Sequence, residues 1–248
     1  PTPRAEALWP EVRSALGHLR DALSPDEFSP QTDAVTFRIA MADATAARFM
    51  PALVSHIEHS QALASVRVLP LTTRDPSALL ERGDADLAIG YFPETVAGLG
   101  GPGGESPLRH ARLQAGEYVC VMREGHPLAR DPLTLDAYCA ARHLLLNLAG
   151  RSHGLVDQAL ASLGRERRVV LTVNQYFTAG RVVANSNLLT VLPAFFVDST
   201  GYREQVVTRP LPFDLDGLDI SMLWHQRNDR VSSHLWLRDR LLAAADPG

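Results

Sequence analysis

One arrangement occurs twice in this chain and limits what it can fold into: an apolar strand runs through a short polar turn into an amphipathic helix. In residues 35–57, Val35, Phe37, Ile39 and Met41 alternate with Thr36, Arg38 and Ala40, the period of a strand. In the turn that follows, Asp43 or Thr45 is placed to cap a helix whose apolar side carries Phe49, Met50, Leu53, Val54 and Ile57. Pro51 falls early in that helix, where its missing N–H does least harm. The theme returns with a strand from His143, a turn over 149–154 and a helix over 155–163 ended by Gly164. Such a junction leaves backbone N–H groups at the carboxyl edge of a sheet, where open α/β folds take ligands.

The remaining segments fit the same plan. Leu8, Val12, Leu16, Leu19 and Leu23 recur at helical spacing over residues 5–23, and a Pro- and Asp-containing linker follows. That apolar stripe needs a partner, either its own domain or a second subunit, and the pattern fits both equally. Strands are expected at 65–72, 86–91, 108–113, 117–122, 168–173, 188–192 and 219–224. Short helices are expected at 77–82, after Thr134 and over 179–184, and a long one at 231–244. Residues 93–104 are glycine-rich and are expected to form a mobile loop. The βαβαβ rhythm indicates a parallel sheet flanked by helices. Two such sets, separated by crossing strands, indicate an α/β protein of two Rossmann-like subdomains that face one another, with the last strand and helix returning to the first.

Composition narrows the class. With 248 residues, 46% hydrophobic and 21% charged, the chain is long enough for two real cores. The net charge of −4 argues against nucleic-acid binding by this segment through bulk electrostatics. All 24 basic residues are arginine. Cys120 and Cys139 form no C-x-x-C pattern and are expected to be reduced thiols in a cytoplasmic protein. No apolar run approaches the ~18 residues of a membrane span, and the N-terminus has no signal-peptide pattern.

The chemical motifs are modest. Gly150-Arg-Ser-His-Gly154 matches G-x-S-x-G between a strand and a helix, with Asp198, Asp214 and His225 later in the chain, so an esterase using Ser152 is an alternative reading. No oxyanion-hole segment precedes the motif, and the same turn serves equally for ligand recognition through Ser152 and His153. His56 and His59 stand one turn apart on a helix without a third metal ligand. Arg165, Arg167 and Arg168 are expected on a solvated surface. Phosphate-binding glycine motifs are absent, so no nucleotide cofactor is expected, and the lack of a third ligand beside His56 and His59 leaves no metal expected. Four polar turns at strand ends remain, at 43–45, 72–74, 149–153 and 174–178. Their hydroxyls, imidazole, amides and aromatics suit a small polar or anionic organic molecule.

Several stretches, in this order, carry a family resemblance: Thr36-Phe-Arg-Ile-Ala-Met, Leu79-Leu-Glu-Arg-Gly-Asp-Ala-Asp-Leu-Ala-Ile-Gly, Glu117-Tyr-Val-Cys-Val-Met-Arg-Glu-Gly-His-Pro-Leu-Ala, and Asn187-Leu-Leu-Thr-Val-Leu-Pro. They resemble the effector-binding part of LysR-type transcriptional regulators. Leu223-Trp-His-Gln-Arg-Asn-Asp-Arg with Trp236-Leu-Arg is similar to the branch holding regulators of aromatic degradation and of nodulation genes. The resemblance implies a fold like type II periplasmic binding proteins, a small-molecule effector in the cleft and no catalysis. It also implies assembly into homodimers and tetramers, and DNA contact only through a winged helix-turn-helix lying before residue 1. By position it implies ligand contacts from Asp43–Thr45, Thr72 and Thr73 on one subdomain and from His153, Gln175 and Tyr176 on the other; the polar turns themselves add Ser152 and Thr178 as candidates, and Thr45, Thr72 and Thr73 are preferred to Asp43 if its carboxylate caps the helix. The implied layout is a linker and dimerisation helix in 1–30, a first subdomain in 31–116, a second in 117–216, and a return to the first in 217–248. A solute-binding protein of the same fold is the other alternative; the linker helix argues against it.

Overall fold

The computed structural model describes residues 2–23, 28–99, 106–147, 154–215 and 217–245. The chain runs α1 (Pro3–Leu23), β1 (Val35–Met41), α2 (Asp43–His59), β2 (Ala64–Pro70), α3 (Ser77–Glu81), β3 (Leu87–Tyr91), α4 (Pro93–Leu99) and β4 (Leu108–Gly116). It continues through β5 (Tyr118–Arg123), α5 (Leu135–Ala140), β6 (Arg142–Leu146), α6 (Leu155–Ser162), β7 (Arg168–Val173), α7 (Tyr176–Ala184) and β8 (Leu188–Pro193). Last come α8 (Ala194–Val197), β9 (Val206–Arg209), β10 (Leu218–His225) and α9 (Ser232–Ala245).

Ten strands form two five-stranded sheets, ordered β2-β1-β3-β10-β4 and β7-β6-β8-β5-β9. In each, three parallel strands are joined by an antiparallel strand that arrives from the other half of the chain. The sheets therefore have the same plan, and the chain crosses between them twice, at Glu117 and again over 210–217. Apolar side chains cover both faces, which is why β3 is apolar at every position rather than alternating. Ile39, Ile89 and Met222 pack beneath Phe49 and Leu53 of α2 and Leu237 and Leu241 of α9. Ala40, Ala88 and Leu223 face the opposite way, onto Leu80 and Phe92. The second sheet repeats this, with Leu144 and Leu192 under Val183 and Phe196 on one face and Leu189 with Tyr138 and Leu160 on the other.

Local chemistry explains many of the boundaries. Thr134 caps α5 by accepting the Ala137 N–H at 3.2 Å. Gly83 and Gly164 turn the chain after α3 and α6 with φ of 67° and 65°, a region that favours glycine. Asp86, in the turn before β3, takes the Arg38 backbone N–H at 2.8 Å and its guanidinium at 2.6 and 3.3 Å, locking β1 to β3.

Five expectations need correction. Pro51 stands in the middle of α2 rather than early in it, because the helix starts at Asp43. Residues 93–99 form helix α4, because Pro93 suits a first helical turn and Val96 and Leu99 find apolar surface beside Leu80; 100–104 lie outside the described residues. Strand β9 was not expected: its four residues are too short to show a period, and they are held by pairing with β5. Helix α7 begins at Tyr176, three residues earlier than the polar composition of 174–178 indicated. Neither Asp43 nor Thr45 caps α2. Its N-cap is Ala42, with no side-chain bond. The stripe on α1 is about half exposed at Leu8 (50%), Val12 (45%) and Leu16 (57%), so the other described residues do not cover it at these three positions.

Two buried histidines make stability depend on pH. His143 and His234 each bond a backbone carbonyl through Nε2, at 2.8 Å to Tyr138 and 3.0 Å to Asp86. Burial holds both imidazoles down to about 4 from an ordinary 6.5. The unfolded chain takes up protons below 6.5 that the folded chain refuses, so this stability is complete above 6.5 and is lost as pH falls toward 4. Between about pH 7 and about pH 5 the loss is about 2 kcal/mol for each histidine. Urea unfolding at the two pH values measures it, and equal stabilities contradict it.

Candidate functional site: a cleft between the two sheets

The turns after β1, β2 and β7 lie at carboxyl ends of parallel strands, as does Asn147 after β6, and residues from both sheets meet at these ends. Between them is a cavity of about 150 Å³ whose described walls come from both sheets. From the first sheet come Ala42, Ala44, Thr45, Thr73 and Arg74; from the second come Tyr118, Asn147, Arg167 and Tyr176. Phe195, Leu146 and Ile220 supply apolar wall. The volume and lining suit a small organic molecule with one polar end.

The sequence-derived candidates separate here. Thr45 stands in the first turn of α2, 5% exposed, in the wall. Thr73 is also in the wall, but its hydroxyl is tied into a local turn, accepting the Asp75 N–H and donating to the Asp75 carbonyl, each at 3.1 Å. Tyr176 opens α7 and packs edge-on against Phe196, with ring centres 5.4 Å apart. Burial, with the nearby charge of Asp43, pushes its phenol up to about 12, and Arg74 opposes that shift. Thr72 is exposed and outside the wall. Gln175 and Thr178 are also exposed and bond each other at 3.0 Å, Thr178 donating. Ser152 and His153 lie outside the described residues, although Gly154 and Leu155, which follow them, line the cavity. Of the acids and base considered with Ser152, Asp198 pairs with Arg203 at 2.8 Å. His225, at the end of β10 in the first sheet, accepts the Arg227 N–H at 3.1 Å.

Three groups at the cleft escaped the sequence. Asp43, expected as a cap for its own helix, accepts the Phe177 N–H across the cleft at 3.1 Å. It thereby caps α7, on the opposite subdomain. Arg74 belongs to a turn the sequence singled out, but only the hydroxyls of that turn drew notice. It is exposed, and its charge reaches the phenols of both Tyr118 and Tyr176. Among the described residues no carboxylate pairs with it. Arg167 corrects the expectation of a solvated basic cluster. Its side chain is 2% exposed and meets the Asp157 carboxylate at 2.7 and 3.2 Å and the Tyr138 hydroxyl at 3.3 Å. Asp157 also accepts the Gly154 N–H at 2.7 Å, so this buried pair shapes the turn into α6. The spacing between Asp157 and Arg167 carried no signal, because the contact depends on α6 returning alongside β7.

Comparison with known proteins agrees with this geometry. A family model described as the LysR substrate binding domain matches residues 30–246. The HTH-type transcriptional activator NahR of Pseudomonas putida is 31% identical, over 96% of this chain and 77% of its own length. Nodulation protein D 1 of Rhizobium meliloti is 29% identical, over 99% of this chain and 77% of its own. The crystal structure of the probable transcriptional regulator PA0477 from Pseudomonas aeruginosa superposes with a TM-score of 0.80 at 26% identity, covering 98% of this chain and 78% of that one. With the family model spanning both sheets and the cleft between them, the chain belongs to the LysR substrate-binding domain family, the effector-responsive part of LysR-type transcriptional regulators.

Proposed function

We propose that the chain senses a small organic anion, an aromatic or alicyclic carboxylate, in the cleft between its subdomains, and that it acts by binding rather than by catalysis. The observation that carries this reading is the exposed cation of Arg74 in the wall of a largely apolar cavity, beside Tyr118 and Tyr176 and facing the uncapped start of α2. An anion there gains the guanidinium, the helix N-terminus and the Thr45 hydroxyl, while its apolar body lies against Phe195 and Leu146. Arg167 contributes shape rather than free charge, since Asp157 neutralises it.

A ligand that touches both subdomains favours the arrangement in which both sets of contacts are made, and so shifts the population between arrangements. The crossings at Glu117 and 210–217 are the places where the subdomains swing. The exposed stripe of α1 pairs with the same helix of a second copy, which carries the change to the neighbouring subunit. In the complete regulator a winged helix-turn-helix before residue 1 contacts DNA, which sets the protein in the cytoplasm. No described helix is long and apolar enough to cross a membrane.

A thermal-shift screen with benzoate, shikimate and their uncharged amides tests the ligand class. The acids raise the unfolding temperature through mass action and the amides do not; equal shifts contradict an anion site. Calorimetry on variants then tests the residues. Replacing Arg74 by alanine weakens binding of the best acid about tenfold or more, the worth of one charged hydrogen bond. Thr45→Val costs about fivefold. Unchanged affinity in both variants removes this assignment.

A further inference from the structure

Asp43 is an acidic side chain at the rim of a cleft read as taking an anion, and its position is specific. It lies between Ala42 and Ala44, both in the cavity wall, and its Oδ2 accepts the N–H of Phe177, the residue after the wall residue Tyr176. Phe177 is the second residue of α7, whose own N-cap, Gln175, makes no side-chain cap bond. Among the described residues three helix N-termini border the cleft, those of α2, α6 and α7. That of α2 has no side-chain cap, at α6 Asp157 of the same helix accepts the Gly154 N–H, and at α7 the Phe177 N–H is taken by a carboxylate from the opposite subdomain.

We propose that Asp43 is a specificity-determining residue: a built-in anion that fills the α7 end of the cleft and restricts the site to ligands with a single negative group. This rests on the anion-binding reading given above and adds to it a rule about ligand charge. One carboxylate of a ligand is met by Arg74 on the first subdomain. A second, directed toward α7, finds its N–H already donated and a like charge beside it, within a cavity of about 150 Å³. Charges of one sign a few ångströms apart repel even at a solvent-exposed rim, where the Asp43–Phe177 hydrogen bond lies. A neutral group of the same shape meets no such barrier. The charge of Asp43 is felt at the Tyr176 phenol, which itself lines the cavity, so its field reaches the ligand space.

Isophthalate and its monoamide, isophthalamate, have nearly the same shape and differ by one charge. Calorimetry with both, on the wild type and on Asp43→Asn, tests the proposal. Asparagine keeps an oxygen for the Phe177 N–H and removes the charge, so the fold is retained; an unchanged unfolding midpoint verifies this. The wild type binds isophthalamate about tenfold or more tightly than isophthalate. In Asp43→Asn that preference falls to within about threefold, chiefly because isophthalate binds better. A preference that survives in Asp43→Asn, or a wild type that binds both alike, overturns the role of Asp43 and leaves the anion site standing. If wild type and variant bind neither compound nor benzoate, the anion site itself falls, and the proposal with it.

Discussion

Helix α2 serves two hydrophobic cores at once, and the geometry of the cleft depends on that. Phe49 and Leu53 on one side close the core of the first sheet. Ala44 and Ala47 on the other enter the core of the second, against α7 and α8. The small side chains matter there, because they let one helix lie close against elements of a different subdomain. The start of α2 is thereby held in front of the start of α7, with Asp43 reaching across. A chain connected only at Glu117 and 210–217 would otherwise leave the relative position of the sheets to two linkers. Shallow packing plus one charged hydrogen bond is a contact that a ligand can reinforce or displace.

The charges of the cleft divide by burial. Arg167 and Asp157 are deep, mutually satisfied and joined to Tyr138 and the turn before α6; removing either alone would strand a charge. Arg74 is exposed and without a carboxylate partner among the described residues. Asp43 is bonded to a backbone N–H rather than to a cation. Among the described residues, the first subdomain thus presents both an available cation, Arg74, and an occupied anion, Asp43, which reaches across to α7. That asymmetry gives a bound molecule a fixed polarity. Burial pushes the surrounding phenols of Tyr118 and Tyr176 further above their ordinary range.

Much of this was legible in the residues. The alternation Val35, Phe37, Ile39, Met41 and the apolar side of α2 follow from backbone period alone, and Thr134, Gly83 and Gly164 mark element ends by local chemistry. Repetition of the strand–turn–helix unit indicated two facing subdomains; of the ligand contacts that the resemblance implied, Thr45, Thr73 and Tyr176 border the cavity. What escaped depends on contacts distant in sequence. Helix α4 is held by apolar surface around Leu80, and β9 exists because β5 offers it a ladder. Arg167 looked like surface because the acid that buries it is ten residues away on another element. Asp43 was assigned to its own helix because local capping is the common case, whereas its partner lies 134 positions on. Each miss involves a polar or short segment whose partner no periodicity identifies.

We propose that one small anion bridges both walls of the cleft. Amide hydrogen exchange, with and without a saturating aromatic carboxylate, examines both walls in one experiment. Protection should rise together in the β1–α2 and β2–α3 turns of the first subdomain and at the start of α7 in the second. Protection confined to one subdomain, or appearing only away from these turns, would contradict a ligand held between them.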